Sequence, residues 1–397
     1  MTQSLHFKVL VLNQISANGL ARLPAGRYVT GKDIEAPDAV LVRSADMHAT
    51  AIPTSVRAIG RAGAGTNNIP VKAMSARGVP VFNAPGANAN AVKELVLAGM
   101  LMAARNLGGA LRFVDKLDTG SADLEKTVEE GKKAFAGFEL SGQTLGIVGL
   151  GRVGCLVADA AIKLGMNVLG YDPDITVDAA WSLPSQVKKA ASVLEVLRNA
   201  HFVTLHVPLV DATRHLVNAD NIGQMRAGAV LLNFARDGVV SESAVLASLK
   251  AKHLGHYVCD FPGAALAGHE RIVCLPHLGA STREAEENCA VMVAEQLRDY
   301  LEDGNIANAV NFPAVSMGRE SAFRIAIANA NVPNMLGQIS TAMARAGLNI
   351  HNMVNKSRGD MAYTLVDVDS AVSDAVLADI GAIEGVLSAR YLPQFGA

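Results

Sequence analysis

Cysteine is scarce in this chain of 397 residues: four thiols, at 155, 259, 274 and 289, form no CxxC pair and no metal-ligand spacing. Reduced, mostly packed thiols are therefore expected, with no metal and no disulfide framework. Long apolar runs are missing as well. None reaches membrane-spanning length, and the opening MTQSLHFKVLVLN lacks a basic segment followed by a cleavage site. Neither a membrane partner nor a signal peptide is expected, which leaves the cytoplasm as the default location. A third absence is an excess of one charge. The formal net charge is −2, which gives no reason to expect nucleic acid as a partner.

Apolar residues make up 50% of the chain and charged residues 18%, the balance of a soluble globular protein. The length points to two or three domains, each able to bury its own core. Charge is unevenly spread: between residues 40 and 95 six basic side chains (Arg43, Arg57, Arg61, Lys72, Arg77, Lys93) face two acidic ones (Asp46, Glu94). Such a local field concentrates a small anion, although a solvated basic surface explains the count equally well.

The strongest signal is TLGIVGLGRVGCLVADAAIKLGMNVLGYD, residues 144 to 172. An apolar run ends in Gly149-Leu150-Gly151-Arg152-Val153-Gly154, after which Val153, Val157, Ala161 and Leu164 recur at helical spacing. The pattern is strand, glycine turn, helix. It suits a dinucleotide, with pyrophosphate on the N–H groups at the helix start. A second strand, Asn167 to Tyr171, ends in Asp172, placed to accept from the adenosine ribose hydroxyls and to repel a 2′-phosphate, so NAD is expected over NADP.

Further strand-like runs follow at 201 to 209, 229 to 235, 256 to 261 and 271 to 275, apolar enough to be buried on both faces of a parallel sheet. Ligands of such sheets sit beyond the carboxyl ends of the strands. The residues there are Pro208, Arg236, Asp260 and His277. Each has an ordinary explanation by itself, as turn proline, surface arginine, capping aspartate or satisfied core histidine. Four at corresponding ends favour a shared site.

Taken in order, GLGRVG, YDP, LHVPL, NFARDG and PHLGAS resemble the D-isomer-specific 2-hydroxyacid dehydrogenases. VRSAD (42 to 46), GRAGAGTNNI (60 to 69) and ARGVPVFNAPGANANAVKE (76 to 94) are similar to the branch of that family acting on 3-phospho-D-glycerate, and the last 75 or so residues to its regulatory ACT domain. The resemblance implies two Rossmann-like doubly wound parallel-sheet α/β domains and a C-terminal ferredoxin-like βαββαβ ACT domain. Residues 1–95 and 283–312 would form a discontinuous substrate-binding domain, 96–282 the NAD-binding domain and 320–397 the ACT domain. The sequence allows the return: Ser281-Thr282-Arg283-Glu284 reads as a capping box, and Ala285, Cys289, Met292, Val293, Leu297 and Leu301 form a helical stripe. Residues 304 to 322, rich in Asn and Gly, read as a linker.

By the same resemblance His277 is the acid/base of hydroxy-acid oxidation, and Arg236 holds the substrate carboxylate and polarises the 2-oxo oxygen. A histidine can take a proton near neutral pH, and a guanidinium fork matches a planar carboxylate. Asp260 matches a residue contacting the nicotinamide amide. Val207, Pro208, Phe234, Ala235, Gly279 and Ala280, with Arg236 and His277 themselves, complete the cofactor contacts. The backbone of Gly63-Ala64-Gly65 would receive the substrate carboxylate, and Arg43 and Ser44 the phosphate, with Arg61 and Arg77 as helpers. The implied partners are a small phosphorylated 2-hydroxy acid and further copies of the chain, as homodimer or homotetramer.

One departure stands out. A glutamate usually follows the family's Asp-x-Phe motif and pairs with the histidine, but here Phe261-Pro262-Gly263-Ala264-Ala265 follows Asp260. Glu270 lies nearby in sequence as a substitute, with an exposed loop glutamate the plainer reading. Without a paired acid, reduction of a 2-oxo acid should fall off at lower pH than in relatives, and Ala265→Glu should shift that profile. The same gap keeps open a non-catalytic NAD(H)-sensing scaffold, beside another D-2-hydroxyacid dehydrogenase.

The tail reads as FRIAIANA, a helix opening near Pro333, NIHNMVNK, the turn Arg358-Gly359-Asp360, MAYTLVDV, a second helix and VLSARYL, the order βαββαβ. In the resembled branch such domains pair edge to edge and bind L-serine between them. Asn329, Asn331, Asn349 and Ile350 match the effector positions, but Asn329 stands where histidine is common and Asn334 replaces a frequent glycine.

Overall fold

The computed structural model describes residues 6–394. The first five residues of the stretch read for a signal peptide lie outside the described residues. Two compact units form, one from residues up to Asn88 together with Arg283 onward, the other from Ala89 to Thr282.

The first unit holds two sheets. Strands β1 (Phe7–Leu12), β2 (Tyr28–Gly31), β3 (Ala39–Val42), β4 (Ala58–Arg61) and β5 (Val81–Phe82) are all parallel, in the order β2-β1-β3-β4-β5 of a doubly wound fold. The helix Arg283–Asp303 returns across this sheet. Gly60 lets it come close, since a Cβ there would stand 2.8 Å from a Leu297 methyl. The apolar stripe behaves as its spacing predicts: Ala285, Cys289, Val293, Leu297 and Leu301 are buried and Met292 is half-buried.

The segment after that helix differs from its reading as a linker. Ile306, Phe312, Val315 and Met317 are buried, and Val310 donates its N–H to the Val81 carbonyl, closing the β5 edge. Asparagine explains the misreading. Asn311 accepts from the Val81 N–H and donates to the Val79 carbonyl, so a residue type that suggests solvated turns serves here as a partner for exposed strand backbone.

Within the second unit, β6 (Thr144–Val148), β7 (Asn167–Tyr171), β8 (Lys188–Lys189), β9 (Phe202–Leu205), β10 (Val230–Asn233), β11 (His256–Cys259) and β12 (Ile272–Cys274) make a parallel sheet in the order β12-β11-β10-β9-β6-β7-β8. Every residue of β9 and β10 is buried, which is why those runs are continuously apolar instead of alternating. The strand order reverses between β6 and β9, the place where such sheets open a crevice. The helix Ala89–Ala104 packs on β10, β11 and β12 and belongs whole to this unit, so the division falls before Ala89 and not at residue 96.

The C-terminal residues of the first unit build the remaining sheet from β13 (Phe323–Ala330), β14 (Ile350–Arg358), β15 (Met361–Val368) and β16 (Val386–Pro393), antiparallel in the order β14-β15-β13-β16. Helices Met335–Arg345 and Asp374–Gly381 cover one face through Met335, Ile339, Met343 and Ile380. This is the expected βαββαβ unit.

Candidate active site

After β6 the chain turns at Gly149 (φ 94°) and the helix Arg152–Lys163 opens. Each glycine answers a separate steric demand. A Cβ on Gly149 would stand 2.5 Å from the His206 carbonyl oxygen, and one on Gly154 would stand 2.1 Å from the Gly149 carbonyl oxygen, whereas Gly151 faces open space. The first contact lays the turn against the end of β9, where Val207 and Pro208 follow. The second packs helix on turn. The open space at Gly151, beside a helix start with no side-chain cap, lets a pyrophosphate reach main-chain N–H groups, with Arg152 exposed and Val153 half-buried next to it. NAD fits these residues.

Asp172 ends β7. Its carboxylate accepts from the Leu150 N–H at 2.8 Å and the Asp174 N–H at 2.9 Å, which fixes it beside the turn with lone pairs left over for a ribose hydroxyl. Asp172→Ala should weaken NADH binding about tenfold or more, the loss of a charge-assisted hydrogen bond. Quenching of the sole tryptophan, Trp181, 86% exposed on the next helix, measures it. Burial pushes the His206 imidazole down to about 4, so it is neutral at pH 7, and its ring nitrogen meets the Thr204 hydroxyl at 3.0 Å.

The other strand ends are aligned by register. Asn233, Cys259 and Cys274 are successive partners across β10, β11 and β12. Arg236 therefore lies three residues past its strand, Asp260 one past and His277 three past, all at the same edge. Neighbouring strands are spaced by about 4.8 Å, so Arg236 and His277 emerge about 10 Å apart, within reach of one small molecule. Both are exposed. Asn233, unnoticed in the sequence, is 2% exposed; it accepts from the Ala235 N–H and donates to the Arg236 carbonyl, shaping the turn through the buried Phe234 and Ala235. Its signal was available as a polar residue ending an apolar run.

Asp260, grouped by resemblance with the cofactor contacts, is 1% exposed and its two oxygens accept from the Leu278 and Gly279 N–H groups, each at 2.7 Å. A buried carboxylate thus grips the loop of Pro276-His277-Leu278-Gly279. A Cβ on Gly279 would stand 3.1 Å from an Asp260 oxygen, and Ala280 beyond it is exposed. His277 itself takes a φ of 58°, and the Phe261 ring meets its imidazole edge-on at 5.1 Å between centroids. A histidine held in the left-handed region needs such a grip.

Glu270 is not the missing acid. It precedes β12 whereas His277 follows it, a separation of at least about 10 Å of extended chain, and its carboxylate is 81% exposed, 3.8 Å from Arg271. Another acid stands beside Gly263, in the segment that follows Asp260. The Glu242 carboxylate opens the helix Glu242–Lys250 and stands where a side chain on Gly263 would be, within 2.3 to 2.8 Å of that ideal Cβ. The glycine makes room for it.

In the first unit, Arg43, Ser44, Arg61 and Gly63-Ala64-Gly65 gather at the carboxyl ends of β3 and β4. The Arg61 Nε donates to the Arg43 carbonyl at 3.1 Å, and the Arg61 guanidinium lies over the Cα of Gly63. Arg43 is ion-paired with Glu286, and the Ser44 N–H is taken by Asn13 Oδ1 at 3.2 Å. Arg77, expected as a helper, lies elsewhere: it ends the helix Val71–Ala76, before β5, at the amino ends of the strands, and donates to the Ile52 and Pro53 carbonyls. The basic surplus is split between the two ends of the sheet.

Of the four asparagine and isoleucine positions in the tail, Asn329 is buried with Oδ1 unpartnered, Asn331 donates to the Gly359 carbonyl at 2.9 Å, the Asn349 N–H meets Asp369, and Ile350 packs into the local core. All four cysteines are free, and Cys259 and Cys274 approach to 3.3 Å between sulfurs. Burial pushes the Cys259 thiol up to about 12, so it is protonated at pH 8 and should react with a disulfide reagent only on unfolding. Among the described residues no His/Cys/Asp/Glu cluster could hold a metal, and no helix is long and apolar enough to cross a membrane.

Residues 97–279 match the family model described as D-isomer specific 2-hydroxyacid dehydrogenase, NAD binding domain. The D-3-phosphoglycerate dehydrogenase of Haemophilus influenzae is 32% identical over 340 residues, covering 83% of this chain and 79% of the relative. That of Methanocaldococcus jannaschii is 32% identical over 350 residues, and the match spans 84% of this chain and 63% of the relative. Among solved structures, one from Thermus thermophilus aligns with a TM-score of 0.62 at 26% identity, covering 77% of this chain and all of that one. NAD+-bound 3-phosphoglycerate dehydrogenase of Entamoeba histolytica aligns at 0.59 and 24% identity, covering 77% and 98%, a likeness of fold.

Proposed function

We propose, from the premise that this chain belongs to the D-isomer-specific 2-hydroxyacid dehydrogenases, that it oxidises 3-phospho-D-glycerate to 3-phosphohydroxypyruvate, the first step of L-serine biosynthesis. NAD, when bound, supplies the hydride acceptor. His277 takes the hydroxyl proton in oxidation and returns it in reduction. Arg236 holds the substrate carboxylate and draws electron density from the oxygen at carbon 2. Asp260 positions His277 by fixing its loop, and Arg43, Ser44, Arg61 and Gly63-Ala64-Gly65 supply main-chain and cationic groups for the substrate's anionic ends. The observation that carries this reading is the alignment of Arg236, Asp260 and His277 on three neighbouring strands of the sheet whose β6 opens the dinucleotide turn. Loss of NADH absorbance on adding 3-phosphohydroxypyruvate tests it. No turnover, with NADH still bound, would favour the sensing scaffold.

One observation favours a second reading. Arg43 is already paired with Glu286, so an unphosphorylated 2-hydroxy acid would not have to displace that carboxylate. Glyoxylate or pyruvate reduced as fast as the phosphorylated acid would select it. We further propose a cytoplasmic homo-oligomer. The exposed apolar face of Leu107, Leu111 and Val114 and the open β14 edge are surfaces a second copy would cover. L-serine binding at Asn329, Asn331, Asn349 and Ile350 is the regulatory part of the same proposal; the unpartnered Asn329 oxygen supports it, and flat rates across a serine titration would remove it.

A further inference from the structure

The basic groups left over from the substrate residues line a cavity of about 590 Å³ in the first unit, where the amino ends of the parallel strands meet β16. Arg57 comes from the residue before β4, Arg77 from the turn before β5, and Arg390 from β16. The volume is that of a small-molecule site. Its walls are close-fitting: a Cβ on Gly78 would stand 2.8 Å from the Ser388 hydroxyl, so β16 lies directly on the strand ends.

Arg390 is the telling residue. Its guanidinium stacks on the Tyr300 ring at 4.1 Å, and Nη2 donates to the Tyr300 carbonyl at 3.2 Å. The Tyr363 hydroxyl, which donates to the Gly304 carbonyl, is a further hydrogen-bond partner of the same guanidinium. The two tyrosines hold the guanidinium at the cavity wall without neutralising its charge. Across the cavity Arg77 is held by two carbonyls, while Arg57 is 47% exposed and reaches only a 3.6 Å contact with Asp38. Two carboxylates, Asp374 in the wall and Asp38 behind Arg57, stand against the three guanidinium groups. The charge balance of the lining is positive, and planar forks favour carboxylate or phosphate oxygens.

We propose that this cavity binds a compact multiply charged anion, bearing phosphate or several carboxylates, bridging Arg57 and Arg390 with Ser388 as a neutral donor. It is separate from the substrate residues of the same unit, since Arg43 and Arg61 stand at the carboxyl ends of the strands and Arg57 and Arg77 at the amino ends. Binding there ties β16 to the parallel sheet. The proposal does not depend on which reaction the protein catalyses.

Thermal unfolding of the full chain tests it, with inorganic phosphate or citrate titrated at constant ionic strength and no nucleotide present. Wild-type protein should show a saturable rise of about 3 to 6 °C with at least one anion, and the two arms separate phosphate from polycarboxylate chemistry. Arg57→Gln should abolish the rise. Arg61→Gln, at the other end of the sheet, should keep it. Arg390→Met should abolish it as well; if that variant does not fold, Arg57→Gln decides alone. No saturable rise in the wild type with either anion overturns the proposal. So does a rise that survives Arg57→Gln or disappears in Arg61→Gln.

Discussion

Replacing His277 by glutamine should lower kcat for reduction of 3-phosphohydroxypyruvate about 10²- to 10⁴-fold, the range contributed by one positioned proton donor. Glutamine keeps reach and polarity but cannot give up a proton. The backbone at this position has a φ of 58°, a region that histidine tolerates better than glutamine, so Tm of the variant is measured beside kcat. Affinity for NADH should fall far less than kcat, because the dinucleotide turn and Asp172, which hold the pyrophosphate and ribose, are built on β6 and β7 and are unchanged. A glutamine variant within about threefold of wild-type kcat would remove His277 from the chemistry and leave the imidazole as an exposed loop residue.

Asp260→Asn should have the next largest effect, with a signature of two parts. One oxygen still accepts, but the amide nitrogen then faces an N–H, so one charge-assisted hydrogen bond is lost and two donors oppose each other at a site 1% exposed. The loss is about 1.5 to 3 kcal/mol, or about 3 to 12 °C in Tm. Because the loop so loosened carries His277, kcat should fall about 10²-fold, the effect expected for a displacement of about 1 Å. A side chain that served only to touch the nicotinamide would behave differently: KM for NADH would rise with Tm unchanged. A lowered Tm with wild-type kcat would make the Asp260 grip purely structural.

The sequence made the periodic features legible, and the structure explains the exceptions. Gly149 and Gly154 are required by contacts within one short turn, so local pattern suffices to find them. Strand ends in a parallel sheet fall at one edge, so Arg236 and His277 could be paired across 41 residues without knowing any distance. Contacts between distant elements were hidden. Glu242 reaches Gly263 from another helix with no local signal, whereas the plainer reading of Glu270 as an exposed loop residue agrees with its place before β12. Arg77 was grouped with Arg43 because both belong to one basic stretch, but a crossover helix carries the chain to the opposite end of the sheet between them. The asparagine-rich stretch from 304 to 322 failed for a third reason: side-chain amides can substitute for backbone partners, which composition cannot distinguish from solvated turns.

The central claim is that Arg236 and His277 act together on one bound molecule, and a double-mutant cycle on kcat/KM tests it most directly. If both groups serve the same transition state, Arg236→Gln with His277→Gln should be no more than about tenfold slower than the slower single variant, because residues acting as a unit are strongly non-additive. If the two losses simply multiply, the groups work independently and the account is contradicted.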